Sequence, residues 1–263
     1  MKKLAALLLT VILLGTAFPG ITEDEPDPLS FFGIRNGRRD EKKIALTVDD
    51  CFSLDWTWKI RDMFHDYGIA GTFFPIGTQI RTEDREQWQK ILDYGNEIGS
   101  HNMGHYAMGS ASAASILSSL GRFQQALDAA LGYHYQINSF RPPFGNISDE
   151  NDSTRNFRIS VQRFGYEHVV LWDVSQTDPE LAFRKLKNGS ILLYHARKKD
   201  YDCMNVLIPR LLKEGYEFIT VSELLSAVMK SAKSLIFFAE KIINKALTLL
   251  IRTDKINRTG KGL

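Results

Sequence analysis

Ile44-Ala45-Leu46-Thr47-Val48-Asp49-Asp50 is the stretch from which the fold can be read: a short apolar run closed by two adjacent acids. Its composition suits a strand, and the helical pattern of about Asp55 to His65, ended at Gly68, follows at once. The alternation repeats down the chain. Strands are expected at Ala70–Phe74, Glu97–Ser100, Ser139–Arg141, His168–Trp172, Ser190–Tyr194 and Phe218–Thr220. Helices are expected at Glu83–Tyr94, Ala111–Leu131, Ser153–Phe164, Pro179–Lys187 and Met204–Lys213, with another opening at Ser222. Strand-then-helix order predicts a parallel sheet, and about seven such units suit a closed or nearly closed β/α barrel better than an open sheet. In either architecture chemistry belongs at the C-terminal ends of the strands.

The polar residues obey that geometry. Asp49 and Asp50 end the first strand, and His101 and His105 follow the third. Arg141, then Asp173 with Asp178, then His195 follow later strands. An acid pair after a strand is ordinarily a turn or helix cap, and a lone H-x-x-x-H is ordinarily incidental. Five strand ends delivering such groups to one rim point to a site. One carboxylate and two imidazoles make a three-ligand set with open positions, as in catalytic rather than structural zinc. Asp50, His101 and His105 fit that set. Asp49 is then free to act as a base on water that the cation acidifies, and His195 to protonate a leaving group. The composition describes metal-assisted hydrolysis of an acyl or similar bond.

Four ordered segments resemble the motifs of the polysaccharide deacetylases, carbohydrate esterase family four. They are Ala45-Leu46-Thr47-Val48-Asp49-Asp50, Gly99-Ser100-His101-Asn102-Met103-Gly104-His105, Phe140-Arg141-Pro142-Pro143-Phe144-Gly145 and Leu193-Tyr194-His195. The resemblance covers roughly residues 41–228. It implies a distorted (β/α)7-type barrel and a hydrolase of non-peptide carbon–nitrogen bonds. The expected reaction is removal of N-acetyl (or O-acetyl) groups from peptidoglycan, chitin-like or xylan-like polymers. The implied cofactor is a divalent ion, Zn²⁺ first, with Co²⁺ or Mn²⁺ as alternatives.

By the same resemblance Asp49 is the general base, paired with and oriented by Arg141, and Asp50, His101 and His105 hold the metal. His195 is the general acid. Aligning Trp172-Asp173-Val174-Ser175-Gln176-Thr177-Asp178-Pro179 with the family's D-x-x-D-W element makes Asp178 the carboxylate partner that raises its pKa. The oxyanion is expected at the metal and the backbone N–H of Phe144, because Pro142 and Pro143 have none. Leu193 matches the apolar wall of the acetyl pocket. The sequence departs from the family at Val48 for Phe, Cys51 for Gly, Asn102 for Ser or Thr, Phe144 for Tyr and Pro179 for Trp. No ligand, base or acid is lost. Trp56, Trp58 and Trp88 stand at helical spacing and read as core before sugar platforms.

The 263 residues carry 33 basic and 31 acidic side chains, 44% hydrophobic and 24% charged, which excludes disorder and collagen. The net charge of +2 is uneven: the body is close to −6 and residues 230–263 close to +6. An acidic body argues against nucleic acid as a partner. Residues 1–20, with Lys2 and Lys3 before the apolar run Leu4–Leu14 and small residues after it, read as a signal peptide; that run is too short to span a bilayer. Residues 21–40 read as a linker, 41–228 as the catalytic domain and 229–263 as a basic amphipathic helical tail. The expected location is therefore exported, extracellular or on the cell envelope. The tail suits either peripheral contact with an anionic membrane or packing on the barrel. Cys51 and Cys203 admit one disulfide or two buried thiols. A catalytically impaired carbohydrate-binding or scaffold protein on the same barrel, and a metal-dependent hydrolase of small amides or imides, are the competing functions.

Overall fold

The computed structural model describes residues 32–108, 111–145 and 152–226. The expected signal peptide, the first part of the linker and the tail 229–263 lie outside the described residues. In chain order the elements are β1 (Phe32–Ile34), β2 (Lys43–Asp50), α1 (Leu54–Asp66), β3 (Thr72–Pro75), α2 (Arg85–Asp93), β4 (Glu97–Ile98) and α3 (Ala113–Leu131). There follow β5 (Ser139–Phe140), α4 (Asp152–Phe164), β6 (His168–Val170), α5 (Pro179–Lys185), β7 (Ile191–His195), α6 (Lys198–Lys213) and β8 (Glu217–Phe218). A last helical turn, α7, covers 221–226.

All pairings between these strands are parallel. One sheet runs β4-β3-β2-β7 and the other β1-β6-β5. Single parallel bridges, Ser100 to Phe140 and Val174 to Leu192, join the two into a ring with two weak seams. That is the distorted barrel expected from the alternating pattern. β1 corrects the linker boundary, because Phe32 and Ile34 register with Val169 and Val170 and Leu171 N–H donates to Ile34 C=O at 2.7 Å. Three residues followed by the polar run Arg35-Asn36-Gly37-Arg38-Arg39-Asp40 give too short a signal to read as a strand. α6 likewise begins at Lys198, ahead of the expected Met204, because its first turn is polar and shows no apolar period.

Every interior residue of β2 is buried, as in a strand covered on both sides. The pleat sends Ala45, Thr47 and Asp49 to one face and Ile44, Leu46 and Val48 to the other. Ala45 packs with Phe74, Val170 and Ile191 inside the barrel, and Val221, Leu224 and Leu225 of α7 join the same cluster. The chain thus plugs its barrel with its own last described turn. Glu97 fastens the plug: it accepts from Thr72 Oγ1 at 2.9 Å, Ser139 Oγ at 3.1 Å and Ser222 N–H at 3.1 Å. With that end filled, the C-terminal ends of the strands are left to form a site.

Candidate active site

β2 ends in the acid pair, and the chain then turns sharply. Asp50 and Cys51 take φ 65° and 53°, the left-handed region, which breaks the strand alternation that would send adjacent carboxylates to opposite faces and leaves both at the same rim. Asp49 stays on the interior face with Thr47. Asp50 turns to the loop after β4, where His101 Nε2 and His105 Nε2 lie 3.3 and 3.4 Å from its Oδ1. That oxygen is buried and accepts no hydrogen bond. Burial pushes the Asp50 carboxyl up, and the three imidazoles that face it, His101 first and then His195 and His105, pull it below the usual range. The ligand atoms of Asp50, His101 and His105 lie within 4.8 Å of one another.

The loop carrying the histidines is held open for this purpose. His101 Nδ1 lies 2.8 Å from the Arg141 carbonyl, which fixes that nitrogen as the N–H and leaves Nε2 as a lone pair facing Asp50. Asn102 takes φ 70°, a conformation its short amide tolerates. Its Oδ1 accepts from Ser119 Oγ at 2.6 Å, which accepts from Tyr106 Oη at 2.8 Å. The departure from Ser or Thr at this position thus serves a backbone turn anchored on α3. A buried orphan oxygen, two imidazoles and a pinned tautomer are the donor set a divalent cation requires, so the residues fit the metal implied by the resemblance.

Asp49 meets Arg141 at 2.7 Å, both buried. Arg141 has its other donors satisfied too: Nη1 also reaches Thr47 Oγ1, Nη2 donates to Leu171 C=O at 3.0 Å, and the guanidinium lies over the Phe74 ring. The arginine therefore cannot swing away, and it fixes one Asp49 oxygen.

His195 ends β7, on the interior face with Ile191 and Leu193 and in register with Asp49. Its Nε2 lies 3.9 Å from Asp50 Oδ2. Here the structure corrects one sequence assignment. The carboxylate behind the ring is Asp200, which is 1% exposed, accepts His195 N–H at 3.1 Å and lies 3.8 Å from Nδ1. Asp178 instead caps α5, accepting Leu181 N–H at 2.8 Å ahead of Pro179 at the first helical position. Asp200 beside the ring raises the His195 pKa, burial opposes it, and Asp49 and Asp50 add to the rise. Asp173, the other acid after β6, accepts Ile191 N–H and Ser190 Oγ and pairs with Arg39. It ties β1's loop to β7 and stays out of the chemistry. Asp200 was missed because it lies in a polar run with no motif; only its spacing of five residues from His195, on a helix start, could have flagged it.

Phe144 has φ 62° and a ring 64% exposed, T-shaped to His105 at 4.3 Å. Phe52, 58% exposed, is also edge-on to His105, at 6.1 Å. Leu193 is buried one pleat below His195. Asp50, Cys51, Asn102 and Phe144 are the non-glycine residues with positive φ among the described residues, and all four belong to this rim. Both cysteines are free thiols: Cys203 packs against Tyr194, and burial pushes the Cys51 thiol up. Trp88 is core, edge-on to Trp58, while Trp56 pairs with Tyr201. His65 stacks on Tyr94 and His134 pairs with Asp128, so neither joins the cluster.

The sequence matches the profile of the family described as polysaccharide deacetylase over residues 36–169. It is 29% identical over 203 residues to a peptidoglycan-N-acetylglucosamine deacetylase of Bacillus cereus, covering 70% of this chain and 89% of that protein. It is 28% identical over 194 residues to the peptidoglycan-N-acetylmuramic acid deacetylase PdaC of Bacillus subtilis, covering 70% of this chain but only 39% of that longer relative. Among solved structures, a CE4 family pseudoenzyme from Bacillus anthracis superposes with a TM-score of 0.65 at 22% identity, over 79% of this chain and 72% of that one. At that identity the last comparison speaks to the fold alone.

Proposed function

Because the chain belongs to the polysaccharide deacetylase family, we propose that it is a metal-dependent deacetylase removing N-acetyl (or O-acetyl) groups from an envelope glycan of the peptidoglycan kind. The observation that carries the reading is the Asp50–His101–His105 cluster, with a buried unpartnered oxygen and one imidazole pinned by a backbone carbonyl. A divalent ion held there, Zn²⁺ or else Co²⁺ or Mn²⁺, would acidify water and polarise the acetyl carbonyl. Asp49, held by Arg141, takes the proton of the attacking water. His195, backed by Asp200, gives a proton to the departing amine. The Phe144 N–H serves the oxyanion, and Leu193 walls the acetyl methyl. Names of relatives that act on peptidoglycan support the substrate class. The N-terminal pattern of residues 1–20 supports export, and the basic amphipathic pattern of 229–263 supports a peripheral contact with an anionic surface.

Acetate release from peptidoglycan fragments, chitin oligomers and acetylated xylan, with each metal added, tests this. Asp49→Asn is expected to lower kcat by about 10² to 10⁴, the usual worth of a general base. His101→Ala is expected to abolish both activity and the metal-dependent rise in melting temperature. Activity surviving both substitutions overturns the mechanism. Metal and glycan binding without acetate release would favour the carbohydrate-binding reading, to which the strained Cys51 and the Pro179 departure lend weight.

A further inference from the structure

Three consecutive cations, Arg197, Lys198 and Lys199, follow His195 by one residue and are exposed. Lys198 pairs with Asp202 at 2.6 Å, an ordinary i,i+4 contact on the surface of α6. The other two are placed differently. Arg197 is locked to the histidine segment at both ends. Its N–H donates to the His195 carbonyl at 2.8 Å, and its Nε donates to Asp200, the buried carboxylate that also accepts His195 N–H. Nε holds Asp200, the side chain is 57% exposed, and its terminal nitrogens make no hydrogen bond or ion pair among the described residues. Lys199 forms no ion pair among the described residues, and its charge acts on Cys203, one turn further along α6.

Arg197 caps the start of α6 and pairs there with Asp200, whereas Lys199, in the first turn, opposes the helix dipole, so helix stability does not account for Lys199. Three cations against Asp200 and Asp202 leave this edge mildly positive on a body that is otherwise acidic. An arginine held by its Nε presents two parallel donors, the geometry that grips a carboxylate in bidentate fashion.

We propose that Arg197 and Lys199 form a specificity subsite for a carboxylate carried by the glycan, such as the lactyl acid of a muramic-type sugar, so that an acidic polymer is preferred to a neutral one. This rests on the deacetylase reading for its substrate, and adds to it the part of the substrate that is recognised. The subsite acts on binding: it orients the chain beside His195 and takes no proton.

The test compares two probes, an alternating GlcNAc–MurNAc tetrasaccharide and the same compound with its lactyl carboxyls converted to amides. Affinities are measured by calorimetry on the full chain with its metal chelated, so that turnover is off. The wild type is expected to bind the acid form roughly tenfold tighter than the amide, the scale of one charge-assisted bidentate contact. Arg197→Gln with Lys199→Gln, which keeps a donor for Asp200, is expected to abolish that preference while binding the amide form as the wild type does. Raising the salt should shrink the wild-type preference and leave the variant unaffected. Equal affinities in the wild type, no binding of either probe, or a preference that persists in the variant overturns the subsite. Acetate release by the metal-loaded chain is scored separately: preference without release sinks the deacetylase reading alone, and release without preference sinks the subsite alone.

Discussion

His195 sits between two acidic neighbours: Asp50, which faces His101 and His105, and Asp200, which is buried behind the ring. A group whose folded pKa is raised stays protonated to higher pH, so a His195 acid keeps working further into the alkaline range than a free imidazole. Asp200→Asn removes the first cause of that rise. The alkaline limb of kcat/KM is therefore expected to move to lower pH, with the acid limb in place; an unmoved alkaline limb would show that Asp200 does not act on the ring. The same shift stabilises the fold fully below the ordinary imidazole value of 6.5, and that gain is lost as pH rises through the folded value. Cys51 carries a second residue-scale consequence. It is fully buried at φ 53°, where a side chain costs about 1–2 kcal/mol. Cys51→Gly trades that strain against a lost buried thiol and glycine's entropy, so its stability is expected to stay within about 1 kcal/mol of the parent. A β-branched Cys51→Val should lose more than 2 kcal/mol in urea unfolding. Asp49, Asp50, Arg141 and His195 are legible as candidates because each ends or directly follows a strand, and His101 and His105 because of their H-x-x-x-H spacing in the loop after β4. Asp200 was hidden because its contact depends on the tight His195–Arg197 turn, which no periodicity records.

Among the elements, those with an apolar period were readable and those without one were not. α3 shows its period for 19 residues between the Ser112 cap and Gly132. β1 offers three residues and the first turn of α6 offers mostly charge, so the domain began earlier, and the helix began earlier, than the sequence suggested. α7 shows how far a six-residue turn can matter. Leu224 and Leu225 enter the barrel with Ala45, Phe74 and Ile191, and Glu97 holds the turn through Ser222. Leu224→Ala is expected to cost about 2–5 kcal/mol, as for any truncation in a closed core. It should leave the KM of the remaining folded enzyme unchanged, since the plug lies at the opposite end of the barrel from the ligands. A cost below about 1 kcal/mol in denaturant unfolding would mean that the turn does not seal the barrel.

For the molecule as a whole, the near-neutral charge is an average of unlike parts, an acidic body and a basic segment beyond residue 229. If that segment meets an anionic surface, the full chain should co-sediment with anionic lipid vesicles in a salt-sensitive way, and a chain ending near Met229 should not. Equal partitioning of the two would remove the membrane contact and leave catalysis untouched.

The pairing of β2 has a kinetic meaning. The strand that delivers Asp49 and Asp50 is closed on one side by β7, with Thr47 bonded to a residue 145 positions later, and further down by β8. Contacts that far apart in sequence form slowly, because each must close a long loop before it is rewarded. The proposed base and the three proposed metal ligands, all within residues 49–105, are thus made early in synthesis and the proposed acid, His195, late, so no chain ending before His195 contains the whole site. If Asp50, His101 and His105 hold a metal, the ion can be captured before β7 closes the barrel, and His195 is the group that arrives last.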